Sequence, residues 1–264
     1  MSGFDVDWLT LREPADHAAR DESLLRRVRE TLNADGGGRV VDLGSGTGST
    51  VRALAPGLSV RPSWRLVDND PVLLAAARAR LCDHAVETVE ADLMDIEALP
   101  LDGAGLVTAS ALFDLVSRDW LERFAAALAG RGIGLYAALS YDGRIGFEDG
   151  YPADEAVVRA FNAHQTGDKG FGPSLGPASP QGLRDAFAAE GFAVEEADSP
   201  WRLAPGPLRA QFLSGVASAV AETGSVETGT LRGWLSHRQV SGGSILVGHR
   251  DVLATPPDRS SRGK

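Results

Sequence analysis

A chain of 264 residues that is 43% hydrophobic and 23% charged carries enough apolar material for one good core, within the size of a single α/β domain with insertions. The net charge of −10 argues against a nucleic-acid partner, because phosphate binding runs on clustered Lys and Arg, and 6% aromatic residues give little material for base stacking. The one cysteine, Cys82, excludes an intrachain disulfide and a cysteine-based zinc cluster and reads as a small apolar helix residue.

Met1 to Leu11 carries Asp5 and Asp7 and has neither a basic leader nor a sustained apolar run, so no secretory signal is expected there. No segment reaches the roughly 20 apolar residues of a membrane span, and a soluble, cytoplasmic protein is the expectation. Asp16 to Leu32 reads as one helix, with Leu24, Leu25, Val28 and Leu32 on one face, Arg26, Arg27 and Arg29 on the other, and Gly36-Gly37-Gly38 ending it. Val40-Val41-Asp42-Leu43 then has the apolar character of a parallel strand covered on both faces. It runs into Gly44-Ser45-Gly46-Thr47-Gly48, and Ser49 to Ala55 continues as a helix whose free N–H groups point back at the turn.

Spacing separates the readings of this turn. A phosphate-cradling P-loop needs Lys-Ser/Thr after its second glycine, and a dinucleotide fingerprint needs glycine where Ser49 stands, which disfavours a nicotinamide dehydrogenase. The pattern present, Asp42-x-Gly44-x-Gly46-x-Gly48, resembles the first motif of the class I S-adenosylmethionine-dependent methyltransferases, in which the loop wraps the methionine part of the cofactor. The resemblance implies that Asp42, Gly44, Ser45, Gly46 and Gly48 bind S-adenosylmethionine. A leading helix often closes over the cofactor in that family. Arg12, Glu13 and Arg20 are near enough in sequence to contribute, or else form a solvated helix entrance.

Trp64-Arg65-Leu66-Val67-Asp68 reads as a second strand, and Pro71 opens the helix Val72 to Leu81. Asp68 falls about 20 residues beyond the turn, the distance at which an acid meets ribose hydroxyls in nucleotide-binding βαβ folds. Asn69 is grouped with it, whereas Asp70 is explained as a helix N-cap. Val86 to Leu93 alternates as a third strand. Its end, Asp92-Leu93, resembles the family's adenine-binding step, the alternative being that Asp92 is an exposed turn residue. Gly105 to Val116 is a buried fourth strand running on into a loop. In the family its end lies under the transferable methyl group, which implicates Ser110 in cofactor binding and Phe113 and Asp114 in facing the acceptor. Helix Asp119 to Leu128 follows, and then a fifth strand, Gly132 to Leu139, with a loop from Ser140 to Gly150 at its carboxyl end.

Strands alternating with helical crossovers predict an α/β fold with a doubly wound, mostly parallel sheet, seven-stranded and Rossmann-like by the resemblance, whose ligands sit outside the carboxyl ends of the strands. Tyr151 to Ala178 breaks the pattern: a helix, Asp154 to His164, passes into a glycine-rich stretch carrying Lys169 and Phe171, read as a substrate lid or else a mobile surface loop. A helix from Pro180 to Phe192, a sixth strand from Ala193 to Ala197 and Trp201-Arg202-Leu203 come next. Helices Leu208 to Glu222 and Thr228 to Gln239 then interrupt the passage to the last strand, Ser244 to His249. The expected organisation is one domain over 1–254, with a cofactor-binding core at 36–150, a lid at 151–180 and a helical cap at 204–243, followed by a disordered tail at 255–264.

Methyl transfer from a sulfonium needs alignment and exclusion of water more than a strong acid or a metal, and a base only when the acceptor must lose a proton. The resemblance thus implies a methyltransferase acting on a small-molecule acceptor, without a metal. Asp114, His164 and His237 are the candidate bases, and Phe113, Asp114, His164 and Lys169 the candidate substrate contacts. His237 reads equally as an interhelical hydrogen-bond partner. The alternative is a cofactor-binding module that regulates a partner without transferring the methyl group. The sequence carries no signature of an oligomeric state.

Overall fold

The computed structural model describes residues 5–257 and is organised on both sides of the short apolar strand around Val40 and Val41. That strand, β1 (Arg39–Leu43), lies parallel to β2 (Ser63–Asp68) on one side and to β4 (Ala104–Ser110) on the other. β3 (Val86–Glu90) pairs parallel with β2, and β5 (Gly134–Phe147) parallel with β4. The sheet runs in the order β3-β2-β1-β4-β5-β8-β6, where β8 (Ile245–Thr255) is antiparallel to both β5 and β6 (Ala193–Asp198). The chain direction reverses in sheet order at β1, so the carboxyl ends of β1 and β4 flank one crevice, where ligands bind in open sheets of this type.

A short extra strand, β7 (Trp201–Leu203), pairs with the start of β8. β6 and β7 run along one edge of β8 and are separated at Ser199-Pro200, since proline has no N–H to give the ladder. Ser199 N–H reaches the carbonyl of His249 at 2.9 Å and keeps the break short.

Buried side chains form three clusters. One face of the sheet joins Leu43, Val107 and Leu135 to α5 (Arg118–Arg131) and α7 (Ser179–Ala189). The other joins Val40, Leu66 and Tyr136 to α2 (Glu22–Ala34), α3 (Ser49–Leu54) and α4 (Pro71–Arg80). The third lies past the ends of β5 and β7, where α6 (Asp154–Gln165), α8 (Pro207–Thr223) and α9 (Thr228–Val240) pack with Trp201 and Tyr141. It is locked by Asp154, which accepts from Trp234 Nε1 at 2.9 Å and is paired with the buried Arg238.

Four features differ from the sequence expectations. The single helix expected from Asp16 to Leu32 is two, α1 (Val6–Ala19) and α2, because Asp21 accepts from Leu24 N–H at 2.8 Å and caps a fresh helix. Cys82 is not an apolar helix residue but lies exposed in the turn after α4. The loop expected from Ser140 to Gly150 is mostly strand: β5 continues to Phe147 after an irregularity at Leu139, because β8 supplies a long antiparallel partner. Of the tail expected from Thr255, that residue ends β8, and 258–264 lie outside the described residues. Among the described residues no helix is long and apolar enough to cross a membrane.

Candidate active site

The turn after β1 places Gly44, Gly46 and Gly48 at φ of 61°, 52° and 80°. At Gly48 a Cβ would also stand 2.5 Å from Leu81 Cδ1, so backbone and packing both require glycine there. Gly46 N–H donates to Asp68 Oδ2 at 2.8 Å and Asp70 N–H to Asp68 Oδ1 at 3.1 Å, so the acid at the end of β2 is drawn to the turn. Burial raises the Asp68 pKa, and these N–H groups hold it back. Asp70 caps α4 through Val72 N–H at 2.8 Å, and Asn69 is exposed beside them.

Beneath the turn Asp42 is buried, its Oδ1 accepting from Thr108 Oγ1 at 2.7 Å while Oδ2 has no partner. Burial pushes its pKa up to about 6 against the pull of Thr108 and the Arg20 charge. Ser45 Oγ is likewise buried and unpaired. Asp92 is exposed just beyond β3 and caps Met94 N–H at 2.9 Å. Its neighbour Leu93 is buried, with Cδ1 3.8 Å from where a Cβ on Gly44 would be, and its carbonyl accepts from Trp120 Nε1 at 2.9 Å. The ends of β1, β2 and β3 thus meet at one turn.

Helix α1 covers that turn. Leu9 Cδ1 lies 3.0 Å from a Cβ position on Gly46, and His17 Nε2 is 3.0 Å from Ser49 Oγ. Arg20 is buried with its Nη2 donating to Ser110 Oγ at 3.2 Å, and Arg12 is buried in an ion pair with Asp16. Arg12 and Arg20 therefore do not form a solvated helix entrance. The sequence signal for one of these contacts was present: Asp16 stands four residues after Arg12, the spacing of a helical ion pair.

At the ends of β4 and β5, Ala111 and Leu139 take φ of 52° and 56°, a left-handed conformation that costs a non-glycine residue about 1–2 kcal/mol. Ala111 N–H bonds the Ala138 carbonyl, and Leu139 N–H bonds the buried carboxylate of Asp251, both at 2.9 Å. Past this bend Asp114 is half-buried. Its carbonyl accepts from Gly176 N–H at 2.9 Å, and its Oδ1 is solvent-excluded without a partner. Burial pushes the carboxyl up to about 6, opposed by the charge of Arg12.

Two expected acceptor contacts lie elsewhere. Phe113 is turned into the core, 1% exposed, with ring centroids 6.4 Å from Trp120 and 6.0 Å from Phe124, because its apolar ring packs under α5. His164 is held at the seam of α6 and α8, where Nε2 meets Glu222 at 2.9 Å and Nδ1 meets Lys169 Nζ at 3.5 Å, which leaves neither nitrogen for an acceptor. Lys169 is thereby committed to the same seam. His237 stacks on Tyr151 at 4.5 Å and has a buried, unpaired Nε2. Tyr141, Trp201 and His249, far apart in the sequence, converge only through the antiparallel pairing of β8.

Among the described residues no group of three His, Cys, Asp or Glu side chains is placed to hold a metal ion. A hollow of about 270 Å³ lined by Leu58, Pro62, Trp64 and His84 lies at the amino ends of β2 and β3, away from the turn.

Residues 40–132 match the methyltransferase domain family. No curated protein sequence matches the chain. Among solved structures it resembles the YcgJ protein of Bacillus subtilis, at 14% identity over 89% of this chain and 99% of that one, with a TM-score of 0.51. A chain in the complex between the Haloferax volcanii Trm112 methyltransferase activator and a candidate methyltransferase is 20% identical over 96% and 95% of the two chains, with a TM-score of 0.51. A candidate methyltransferase from Bacillus halodurans C-125 is 16% identical over 88% and 97%, with a TM-score of 0.50. At these identities the likeness speaks for the fold. The stretch that matches a methyltransferase domain holds the Asp42-to-Gly48 motif, turned toward Asp68 at the carboxyl edge of that fold.

Proposed function

We propose that this protein is a class I S-adenosylmethionine-dependent methyltransferase that methylates a small-molecule acceptor held where β4 and β5 end, with Asp114 as its proton acceptor. The observation that carries the reading is the meeting of the glycine turn with Asp68 at the end of β2, together with a carboxyl past the end of β4, Asp114, whose Oδ1 is solvent-excluded and unpaired. The net charge of −10 supports an acceptor other than nucleic acid. A free, exposed Cys82 is in keeping with a reducing cytoplasm.

The residues at the turn fit S-adenosylmethionine. Asp42 Oδ2 and Ser45 Oγ are buried polar atoms without partners, as expected of groups that serve an amino-acid arm, and Asp68 offers a carboxylate to the ribose hydroxyls. In this reading Gly44, Gly46 and Gly48 let the backbone approach, Ser110 borders the methyl end, Leu93 offers an apolar edge to the adenine, and Asp92 and Asn69 flank it. When bound, S-adenosylmethionine supplies a methyl group on a positively charged sulfur, ready for in-line displacement. The chain's own task is alignment and dryness: α1 covers the turn, where Leu9 stands against Gly46. Asp114, with a pKa near 6, is ionised at neutral pH and takes the proton that a hydroxyl or protonated nitrogen gives up.

Calorimetry with S-adenosylmethionine and S-adenosylhomocysteine tests the assignment. Micromolar binding that Asp68→Ala weakens is expected; no binding of either compound removes it.

A further inference from the structure

Arg20 is a buried side chain whose hydrogen bonds are only partly made. It closes α1 with extended backbone, φ −57° and ψ 137°, immediately before Asp21 caps α2. The residue is 5% exposed. Its Nη2 donates to Ser110 Oγ at 3.2 Å and stands 3.5 Å from Thr50 Oγ1, and the guanidinium carbon lies 5.8 Å from the centre of the Tyr136 ring. Nε and Nη1 are solvent-excluded and without partners. An arginine nitrogen can only donate, so these are donors left over, whatever the pH. Burial works against the charge, but Tyr136 and Asp251 outweigh it, so the guanidinium stays protonated.

The nearby carboxylate of Asp251 is taken by other donors: Leu139 N–H at 2.9 Å on Oδ1, and the Tyr136 hydroxyl at 2.9 Å with Asp21 N–H at 3.1 Å on Oδ2. On its other side Arg20 joins two elements of the crevice, since Thr50 lies in the first turn of α3, just after the glycine turn, and Ser110 ends β4. Thr108, two residues before Ser110 and so on the same face of β4, donates to Asp42 Oδ1 at 2.7 Å. Arg20 and Asp42 are therefore fastened to one face of one strand end. Gly44 and Gly46 of the turn, with Ser110 and Ala111, are only half-buried, so solvent reaches the surface that the guanidinium backs. What is left unpaired around it is an acid oxygen, Asp42 Oδ2, and two N–H donors carrying a positive charge. An ammonium and a carboxylate held a bond or two apart, the termini of an amino acid, complement that set, and charged donors left unpaired are costly.

We propose that Arg20 is the receptor for the carboxylate of the cofactor's amino-acid arm, with Asp42 facing the ammonium of the same arm. This rests on the methyltransferase reading and assigns it a residue outside the glycine motif. A planar guanidinium suits the role because it offers parallel N–H groups to the two oxygens of a carboxylate, and Ser110 and Thr50 steady it from the far side.

The test is calorimetry on the full chain with two probes: S-adenosylhomocysteine, and its decarboxylated analogue, which differs only in lacking the carboxylate. The parent is expected to bind S-adenosylhomocysteine about tenfold to 100-fold more tightly than the analogue, the range that hydrogen bonds to a charged group produce. Arg20→Gln, which can still reach Ser110 but carries no charge, brings the two affinities to within about threefold by weakening S-adenosylhomocysteine alone. Arg20→Lys keeps the charge beside Asp251 without the fork; it cuts the ratio at least about threefold and serves as the working variant if the Gln form does not fold. A parent that binds both probes alike overturns the assignment. So does a folded variant that keeps the parental ratio, even with both affinities reduced, because Arg20 then only supports the joint between α1 and α2. If the parent binds neither probe, the methyltransferase reading falls as well.

Discussion

Arg52 of α3 and Glu13 of α1 face each other through two hydrogen bonds, Nε to Oε1 at 2.6 Å and Nη2 to Oε2 at 2.7 Å, and Arg52 Nη1 also holds the carbonyl of Thr47 at 2.7 Å. Burial alone would raise the Glu13 pKa, but Arg52 outweighs it and holds the carboxyl below its ordinary range. One side chain thus fastens the leading helix to the glycine turn. A partly buried, charge-assisted pair of this geometry is worth about 1–2 kcal/mol after allowance for solvent screening. Glu13→Gln is therefore expected to weaken S-adenosylhomocysteine binding by about fivefold to thirtyfold and to speed hydrogen exchange in α1. Unchanged affinity with faster exchange would mean that α1 is tethered there without covering the cofactor.

Asp68 reaches the turn through backbone N–H groups, and its isosteric amide tests what the carboxylate does. Asp68→Asn keeps one oxygen acceptor but sets an NH2 group against either Gly46 N–H or Asp70 N–H. A donor facing a donor costs about 1–3 kcal/mol. Calorimetry should show affinity for S-adenosylhomocysteine down by at least about tenfold, and a urea melt should show the apo protein less stable. A variant as stable as the parent, with parental affinity, would separate Asp68 from the site.

How much of this was legible in the chain depended on whether a contact is local or crosses the sheet. Asp42, Gly48 and Asp68 could be placed because a strand, a turn and a crossover have fixed lengths, so distance along the chain stands in for distance in space. The direction of a side chain past a strand end has no such rule. Past the left-handed Ala111 the chain turns Phe113 into the core, a direction that no spacing announces. His249 was further out of reach, because it meets Tyr141 only once the last strand has returned antiparallel beside β5, more than 100 residues later. The break between α1 and α2 was written in Asp21, an N-cap residue hidden inside an otherwise regular apolar spacing.

The buried Asp42 makes stability depend on pH in a definite sense. Its folded pKa of about 6 lies above the unfolded value of about 3.9, so the native state holds the proton more tightly than the unfolded chain. The stability that this group contributes is present below about pH 4 and is lost as pH rises through about 6; two pK units correspond to roughly 3 kcal/mol. Urea melts of the parent should therefore show lower stability at pH 7.5 than at pH 4.5 relative to Asp42→Asn, which has no proton to lose there. The same variant is expected to bind S-adenosylhomocysteine more weakly, since Oδ2 is the unpaired atom at the turn. A parent-minus-variant difference that does not change with pH would show that the carboxyl is not perturbed.

With Asp114 as the proposed proton acceptor, its ionisation would set the pH dependence of turnover. The carboxyl is pushed up to about 6 by burial, so its basic form is depleted below that pH and complete above it. Turnover measured as kcat/KM, which reports the free enzyme, should climb tenfold per pH unit below about 6 and level off above it. His249, at about 3, does not titrate in this window, but Asp42 does, at about 6. The two carboxyls are told apart by substitution. Asp42→Asn should keep the acidic limb while losing cofactor affinity, whereas Asp114→Asn should abolish the limb and lower kcat by about 100-fold to 10,000-fold at unchanged affinity for S-adenosylhomocysteine. Should the limb survive in Asp114→Asn and vanish in Asp42→Asn, the proton is taken elsewhere and the ionisation that matters is the one beneath the glycine turn.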